Sequence, residues 1–311
     1  MITGAGCGVW GLHWSSSGSG RGIVPARTLV GVVGHVEWVQ FACVQRVPRA
    51  GEIVHATSAF DEPAGGGAVA AVQLRKLAGE ARFFTAMGDD VLAQQAAARL
   101  SEHHGVRLHA GARPGPQRRC FTFLDAEAER TITVLGERIV PLRADSLPWD
   151  ELGELDGVYV TGGDADAVRA ARAARMLVAT PRALTALVAS GVQLDVLVGS
   201  ATDAGEVYER GMLDPEPRVV VRTRGEHGGT WEVSGEPPAW VGSSERSGTW
   251  APTPLPGTPA DAYGCGDSFA AGLTYGLAAG MALPDAIGLG ARCGAACLCG
   301  RGPYEGQLAL A

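Results

Sequence analysis

Short apolar segments alternate with alanine-rich helical segments along most of the chain, beginning at Leu29. Strands covered by helices on both faces read as continuous apolar runs, and regular strand–helix alternation is typical of a parallel sheet. The pattern therefore predicts an α/β fold with a doubly wound, mostly parallel sheet flanked by helices. The predicted strands are Leu29–Val33, Arg82–Ala86, Gly157–Thr161, Met176–Ala179, Val196–Val198 and Val219–Arg222, and the predicted helices between them are Val91–His103, Ala165–Ala174, Arg182–Ala189 and Asp203–Arg210.

Two regions interrupt this alternation. In the first, the segment Glu37–Val44 is followed by Ile53–Phe60, and in the second, Cys120–Asp125 is followed by Thr131–Leu135. Short β-prone segments joined by polar turns are typical of antiparallel pairs, with the second turn at residues 126–129. We therefore predict short antiparallel strands in both regions, outside the main alternation.

A glycine-containing turn opens a helical pattern near the C-terminus, where the chain reads DAYGCGDSF from Asp261 to Phe269. Gly264 and Gly266 permit a tight turn, and the N–H groups that begin a helix form a ready site for an anion. Asp267 places a carboxylate beside that site, where a general base for phosphoryl transfer to a hydroxyl would lie. An aspartate at this position also caps a helix, so the motif alone leaves both interpretations open.

The chain contains a single lysine, Lys76, and Leu77 follows it. A P-loop of the G-x-x-x-x-G-K-[ST] type is therefore absent, as is the strand lysine on which protein kinases depend. Any chemistry with ATP must hold phosphate with glycine amides and arginine.

Charge and composition restrict the partners further. The net charge is −7 with no basic stripe, so we expect no nucleic acid partner. No apolar run is long enough for a membrane span and no secretory signal is evident, so we expect a cytoplasmic protein without a membrane partner. Among seven cysteines, Cys293, Cys297 and Cys299 lie close together, but without paired C-x-x-C spacing they are expected to be buried thiols.

The motifs together resemble the ribokinase (PfkB) family of small-molecule kinases. The family signature Asp-Thr-x-Gly-Ala-Gly-Asp-x-Phe is matched by Asp261–Phe269, with Ala262 for threonine and Cys265 for alanine. A second family motif, a glycine-rich turn that opens a helix, corresponds to Ala64–Val69. The resemblance implies one ribokinase-like kinase domain over residues 28–311, with ATP and Mg²⁺, after a flexible Gly/Ser-rich leader at residues 1–27. It also implies a small β lid formed by segments 36–60 and 119–135, through which family members often form homodimers.

The resemblance carries specific roles onto matching positions. Asp267 would be the general base and the amides of Gly264, Cys265 and Gly266 would form the anion hole. Asp203, with Ser200, would organise Mg²⁺. The remaining implied contacts are Asp261, Ser200, Thr223, Gly225 and Gly302 for the nucleotide, and Glu37, Gly65, Gly66, Gly67 and Val69 for the acceptor.

Three positions depart from the family pattern. The family usually has an aspartate that binds substrate hydroxyls five residues after the glycine ending the first strand; counting from Gly34, this chain has Val39 there, with Glu37 two residues earlier. The asparagine that ends the glycine-rich turn is replaced by Val69. The Asn-x-x-Glu motif reads Ser-Ala-Thr-Asp at residues 200–203.

We therefore expect ATP-dependent phosphorylation of a hydroxyl on a small sugar or sugar-like substrate. A nucleoside or vitamin-precursor kinase of the same fold stays open, because valines at the two substrate positions suit a less hydroxylated acceptor. A catalytically silent nucleotide- or sugar-binding protein also stays open, because usual ligands are missing. A dinucleotide oxidoreductase would rest only on G-x-G-x-x-G at residues 6–11, where the flanking strand and helix that this motif requires are not evident. The acceptor itself is not identified by the sequence.

Overall fold

The computed structural model describes residues 27–310, so the predicted leader, apart from Arg27, and the glycines at 6–11 lie outside the described residues. The strands are β1 (Val30–Val33), β2 (Glu37–Cys43), β3 (Ser58–Ala64), β4 (Arg82–Met87), β5 (Arg107–Ala112), β6 (Arg119–Leu124), β7 (Arg130–Leu135), β8 (Gly157–Val160), β9 (Met176–Ala179), β10 (Val196–Ser200), β11 (Val219–Thr223), β12 (Gly229–Val233) and β13 (Ser247–Trp250). The helices are α1 (Gly66–Ala78), α2 (Val91–Ala98), α3 (Ala165–Ala171), α4 (Leu184–Ser190), α5 (Cys265–Ala278) and α6 (Leu283–Leu298).

A nine-stranded sheet forms the body of the protein, in the order β13-β12-β11-β10-β9-β8-β1-β4-β5. The strands from β11 to β5 run parallel, and β12 and β13 join antiparallel at one edge. This confirms the predicted doubly wound, mostly parallel sheet. The direction of winding changes between β1 and β8, and ligands of such sheets bind beyond the carboxyl ends of the strands at that point.

The four-stranded lid sheet has the order β3-β2-β6-β7, with β2 and β6 parallel and the outer pairs antiparallel. The turn predicted at 126–129 is present, because the Asp125 carboxylate accepts hydrogen bonds from the backbone N–H groups of Glu127 and Glu129. The predicted strand Ile53–Phe60 is wrong in its bounds. The strand begins at Ser58 and continues to Ala64, which leads directly into α1.

The predicted helix Asp203–Arg210 is also wrong. Only a single 3-10 turn forms at Ala204–Glu206, and Val207 is already extended. The Asp203 carboxylate caps this turn by accepting a hydrogen bond from Gly205 N at 2.8 Å, but Gly205 and Val207 are poor helix formers and the turn does not continue. The residues after this turn run as a loop to β11.

Small residues allow α5 and α6 to pack closely on one face of the sheet. A Cβ added at Gly272 would lie 2.9 Å from Gly290 Cα, and one at Gly276 would lie 2.8 Å from Ala286 Cα. The close packing fixes the position of the α5 N-terminus beside α1. Among residues 27–310, no helix is long and apolar enough to cross a membrane.

Candidate active site

The two glycine turns predicted from the sequence meet in space. Gly65 precedes α1, and its N–H donates to the Tyr263 hydroxyl at 3.2 Å. Tyr263 comes directly before Gly264, the glycine that begins the second turn. A Cβ built on Gly66 would lie 2.7 Å from Asp267 Oδ1. The N-termini of α1 and α5 therefore converge, and the Asp267 carboxylate lies against the backbone of the first turn.

Backbone amides at the start of α5 have the hydrogen-bonding state that the predicted anion hole requires. Gly264 adopts the left-handed conformation (φ 80°) that lets the chain turn into the helix. The first helical hydrogen bond runs from Ser268 N to Gly264 O, so the N–H groups of Cys265, Gly266 and Asp267 have no intrahelical acceptor. A Cβ at Gly266 would meet nothing within 4 Å, so open space lies in front of these amides.

Burial raises the pKa of Asp267 to about 6, with the Glu206 carboxylate adding to the rise and Arg182, Arg130 and Arg138 opposing it. A carboxyl with a pKa near 6 is a stronger base than an ordinary aspartate and is still mostly ionised at neutral pH. Asp267 is therefore chemically suited to accept a proton from a hydroxyl.

Asp261 connects the α5 turn to the C-terminal loop. Its buried carboxylate accepts hydrogen bonds from Tyr263 N at 2.8 Å and from Gly302 N at 2.9 Å. Burial raises its pKa, and the two N–H groups oppose that rise. The structure thus joins Asp261 and Gly302 to each other, and their predicted contact with a nucleotide stays a prediction.

The remaining nucleotide positions lie at the carboxyl ends of β10 and β11. Ser200 and Thr223 are directly paired across these strands, and Gly225 follows in open space. This is the end of the sheet where both glycine turns lie. The grouping agrees with a nucleotide site, and the nucleotide contacts of these residues stay a prediction.

Sequence reasoning missed Glu206 and Arg182. Arg182 binds two carboxylates, with Nη2 2.5 Å from Asp203 Oδ2 and Nε 2.8 Å from Glu206 Oε1. Glu206 also accepts from Ser200 N at 2.6 Å, and of the two carboxylates it is the one that affects the pKa of Asp267. The signal was present as a second carboxylate three residues beyond Asp203, a spacing that places both side chains on the same face of the predicted helix.

The acceptor end contains Glu37, the glycine turn and a residue not predicted, His35. A Cβ on Gly65 would lie 3.2 Å from His35 Nε2 and 3.3 Å from Glu37 Cγ. Glu37 is buried, accepts from Cys120 Sγ at 2.9 Å, and lies 3.0 Å from Arg118 Nε. Gly67 is fixed against the His35 backbone, since a Cβ there would lie 2.5 Å from His35 O.

The two valines at the usual substrate positions are fully buried. Val69 packs against Gly264, whose added Cβ would lie 2.9 Å from Val69 Cγ1, and Val39 lies in the same core. Neither provides a polar group to the cleft. The contact predicted between Val69 and an acceptor stays a prediction, and the polar groups present are those of His35, Glu37 and the nearby arginines.

Comparisons with known proteins were made on sequence and on structure. The model of the "pfkB family carbohydrate kinase" matches residues 27–309. Fructoselysine 6-kinase of Escherichia coli (strain K12) is 40% identical over 77 residues, and this match spans 25% of each chain. The ribokinase of Arabidopsis thaliana, solved with ribose and ATP, superposes with a TM-score of 0.67 at 16% identity, covering 90% of this chain and 95% of that one. The adenosine kinase of Sinorhizobium meliloti gives 0.67 at 16% identity, covering 88% and 94%.

Proposed function

Because the chain belongs to the pfkB family of carbohydrate kinases, we propose that it transfers the γ-phosphoryl group of ATP to a hydroxyl of a small sugar or sugar-like acceptor. The observation that supports this most directly is the position of Asp267, next to the free amides of α5 and against Gly66 of the opposite turn. A base and an anion hole side by side are the two groups that phosphoryl transfer to an alcohol requires.

In the proposed reaction, the acceptor oxygen forms a bond to the γ-phosphorus while the bond from that phosphorus to the β–γ bridging oxygen breaks. The hydroxyl proton goes to Asp267, and ADP leaves with the bridging oxygen. The amides of Gly264, Cys265 and Gly266 would stabilise the charge on the transferring group. Closure of the lid sheet excludes water and so limits hydrolysis of ATP.

The residues near Ser200 fit a Mg²⁺ ion that is carried by the nucleotide. Asp203 and Glu206 offer hard carboxylate oxygens, and both are already held by Arg182. Mg²⁺ usually keeps several waters and contacts few protein carboxylates, so contact through water with these side chains suits the donor set. When bound, the ion would neutralise charge on the β- and γ-phosphates.

Two alternatives retain support. A nucleoside acceptor is favoured by the valines at positions 39 and 69, and an adenosine kinase is among the similar structures. A binding protein without activity is favoured by the loss of the usual polar ligands. The retention of Asp267 at the convergence of the two turns argues against the second alternative.

The proposed function is tested by ADP release from Mg·ATP with a panel of sugars, polyols and nucleosides. We expect release that depends on an added acceptor, together with a phosphorylated product of the acceptor's mass plus one phosphoryl group. If the protein binds Mg·ATP but releases no ADP with any acceptor, the result would instead support the binding-protein alternative.

The pH dependence of turnover tests the proposed base. Since Asp267 must be ionised to accept a proton, kcat/KM for the acceptor should fall as pH decreases through about 6. With such a pKa the value at pH 5 is expected to be about one tenth of that at pH 7. The measurement is a profile from pH 4.5 to 8.5 at saturating Mg·ATP, and equal values at pH 5 and pH 7 would contradict a base with a raised pKa.

A further inference from the structure

Three guanidinium groups surround the imidazole of His35. Burial lowers the pKa of His35 well below its usual value, and Arg138, Arg118 and Arg182 lower it further. Arg138 Nη2 lies 2.9 Å from His35 Nδ1. Because arginine can only donate, Nδ1 accepts and the ring is neutral with its proton on Nε2. The imidazole therefore carries no charge of its own next to the arginines.

The three arginines differ in how far their charge is balanced. Arg182 pairs with two carboxylates and Arg118 lies beside one, Glu37, whereas Arg138 has no carboxylate partner among residues 27–310. Arg138 donates only to His35 and to the carbonyls of Thr161 and Arg182. Burial lowers the pKa of Arg138, and the positive charge of Arg118 lowers it further. Glu37 and Asp267 oppose this fall from a distance, but no carboxylate of the described residues lies in contact with the Arg138 guanidinium.

Arg118 also has donors without acceptors. Its Nε and Nη1 are buried without a hydrogen-bond partner, although Nε lies 3.0 Å from Glu37 Oε1, because that N–H is not aimed at the carboxylate. Donors of a charged group left unsatisfied in a buried position are costly. An oxygen of a carboxylate or phosphate would satisfy a charged donor of this kind.

Arg118 lies beside Glu37 and Arg138 beside His35, at the lid end of the cleft. Asp267 lies against Gly66, while His35 and Glu37 lie against the preceding residue, Gly65. A molecule whose hydroxyl reaches Asp267 would therefore extend across the glycine turn toward Arg118 and Arg138.

We propose that the acceptor carries an anionic group, a carboxylate or a phosphate, which Arg118 and Arg138 bind while the reacting hydroxyl lies at Asp267. This inference rests on the proposed kinase function. Glu37, held by Cys120 and Arg118, provides an acceptor for hydroxyls between the two ends of the molecule. Arg118 and Arg138 determine specificity in this arrangement and take no part in the transfer itself.

The inference is tested with matched acceptors that differ in charge: gluconate against glucitol, ribonate against ribitol, and ribose 5-phosphate against ribose. The anionic member of at least one pair should have a kcat/KM about tenfold or more higher, which corresponds to one charge-assisted hydrogen bond. The aldonate and phosphate pairs distinguish a carboxylate from a phosphate. A preference for the neutral member in every pair would overturn the inference and leave the proposed function intact.

Binding of the same compounds, measured by calorimetry without ATP, distinguishes failure of the anionic site from failure of the proposed kinase function. An anionic compound that binds without ADP release would contradict the proposed function while supporting the anionic site. No preferential binding of any anionic compound, with no preference in turnover, would contradict the inference.

Substitutions locate the site. Arg118→Gln and Arg138→Gln should each raise KM for the anionic acceptor by about 10- to 100-fold and change KM for its neutral partner far less. The control is Arg119→Gln, since Arg119 is adjacent to Arg118 on the chain but is exposed. If the two variants raise KM for ATP instead, the guanidiniums bind nucleotide phosphate and the inference is wrong.

Discussion

Replacing Asp267 by asparagine is expected to lower kcat by about 10²- to 10⁴-fold, the usual effect of removing a positioned base. Asparagine has the same shape as aspartate but cannot accept the hydroxyl proton. The loss should appear in kcat at saturating acceptor and Mg·ATP, measured by ADP release, while binding of Mg·ATP is retained. A variant with turnover within a few-fold of the native protein would mean that Asp267 is only a helix cap.

The same substitution should not destabilise the fold. The pKa of Asp267 in the folded protein is raised above its ordinary value, so its ionised form is unfavourable in the fold above about pH 6. A neutral isostere removes that cost, and thermal unfolding at pH 7.5 should occur at the same or a higher temperature. Loss of activity together with unchanged stability would separate a chemical role from a structural one.

Asp285 provides the matched control. It is the third residue of α6, as Asp267 is the third residue of α5, and it is exposed. If the carboxylates act only on the helix dipole, Asp285→Asn and Asp267→Asn should have similar, small effects on stability and activity. We expect Asp285→Asn to leave turnover unchanged.

The parts of the site that the sequence predicted are those determined locally. Both glycine turns follow from residues adjacent in the chain, because a positive φ at Gly65 and Gly264 and a helix directly afterwards are local properties. The parallel strands were predicted for a similar reason, since each is a continuous apolar run. Only the family resemblance assigned the two turns to one site, because no local pattern relates Gly66 to Asp267.

The remaining features depend on contacts between distant segments. His35 and Arg138 are 103 residues apart, and only the position of both beyond the carboxyl end of the sheet brings them together. Whether Arg118 or Arg119 faces the cleft depends on the face of the lid sheet on which each side chain lies. The helix predicted at Asp203–Arg210 does not extend beyond one turn, and the contacts of Asp203 and Glu206 with Arg182, which lies on another element, could not be read from the local pattern. Strand β5 was missed because it lies at the sheet edge and is only partly buried.

Replacing Gly266 by alanine is expected to lower the activity of the protein without lowering the stability of its fold. The added methyl meets no protein atom within 4 Å, so the fold accommodates it, and alanine favours a helix over glycine by up to about 1 kcal/mol. The open space beside this residue is also where the proposed anion hole would receive the transferring phosphoryl group. We therefore expect kcat/KM for ATP to fall by about 10²-fold or more, comparable to losing a donor from such a hole.

Gly288 in α6 is the matched control for this substitution. It is an exposed helical glycine whose added Cβ would also meet nothing within 4 Å, and it lies outside the two turns that form the site. Thermal unfolding should shift upward or stay unchanged in both Gly266→Ala and Gly288→Ala, and only the first should lose activity and Mg·ATP affinity. Since both variants add the same methyl group to a helix, equal activities would show that the amides of α5 do not bind the phosphoryl group. A loss confined to Gly266→Ala, in protein at least as stable as the native chain, would assign the phosphate site to the α5 N-terminus independently of Asp267.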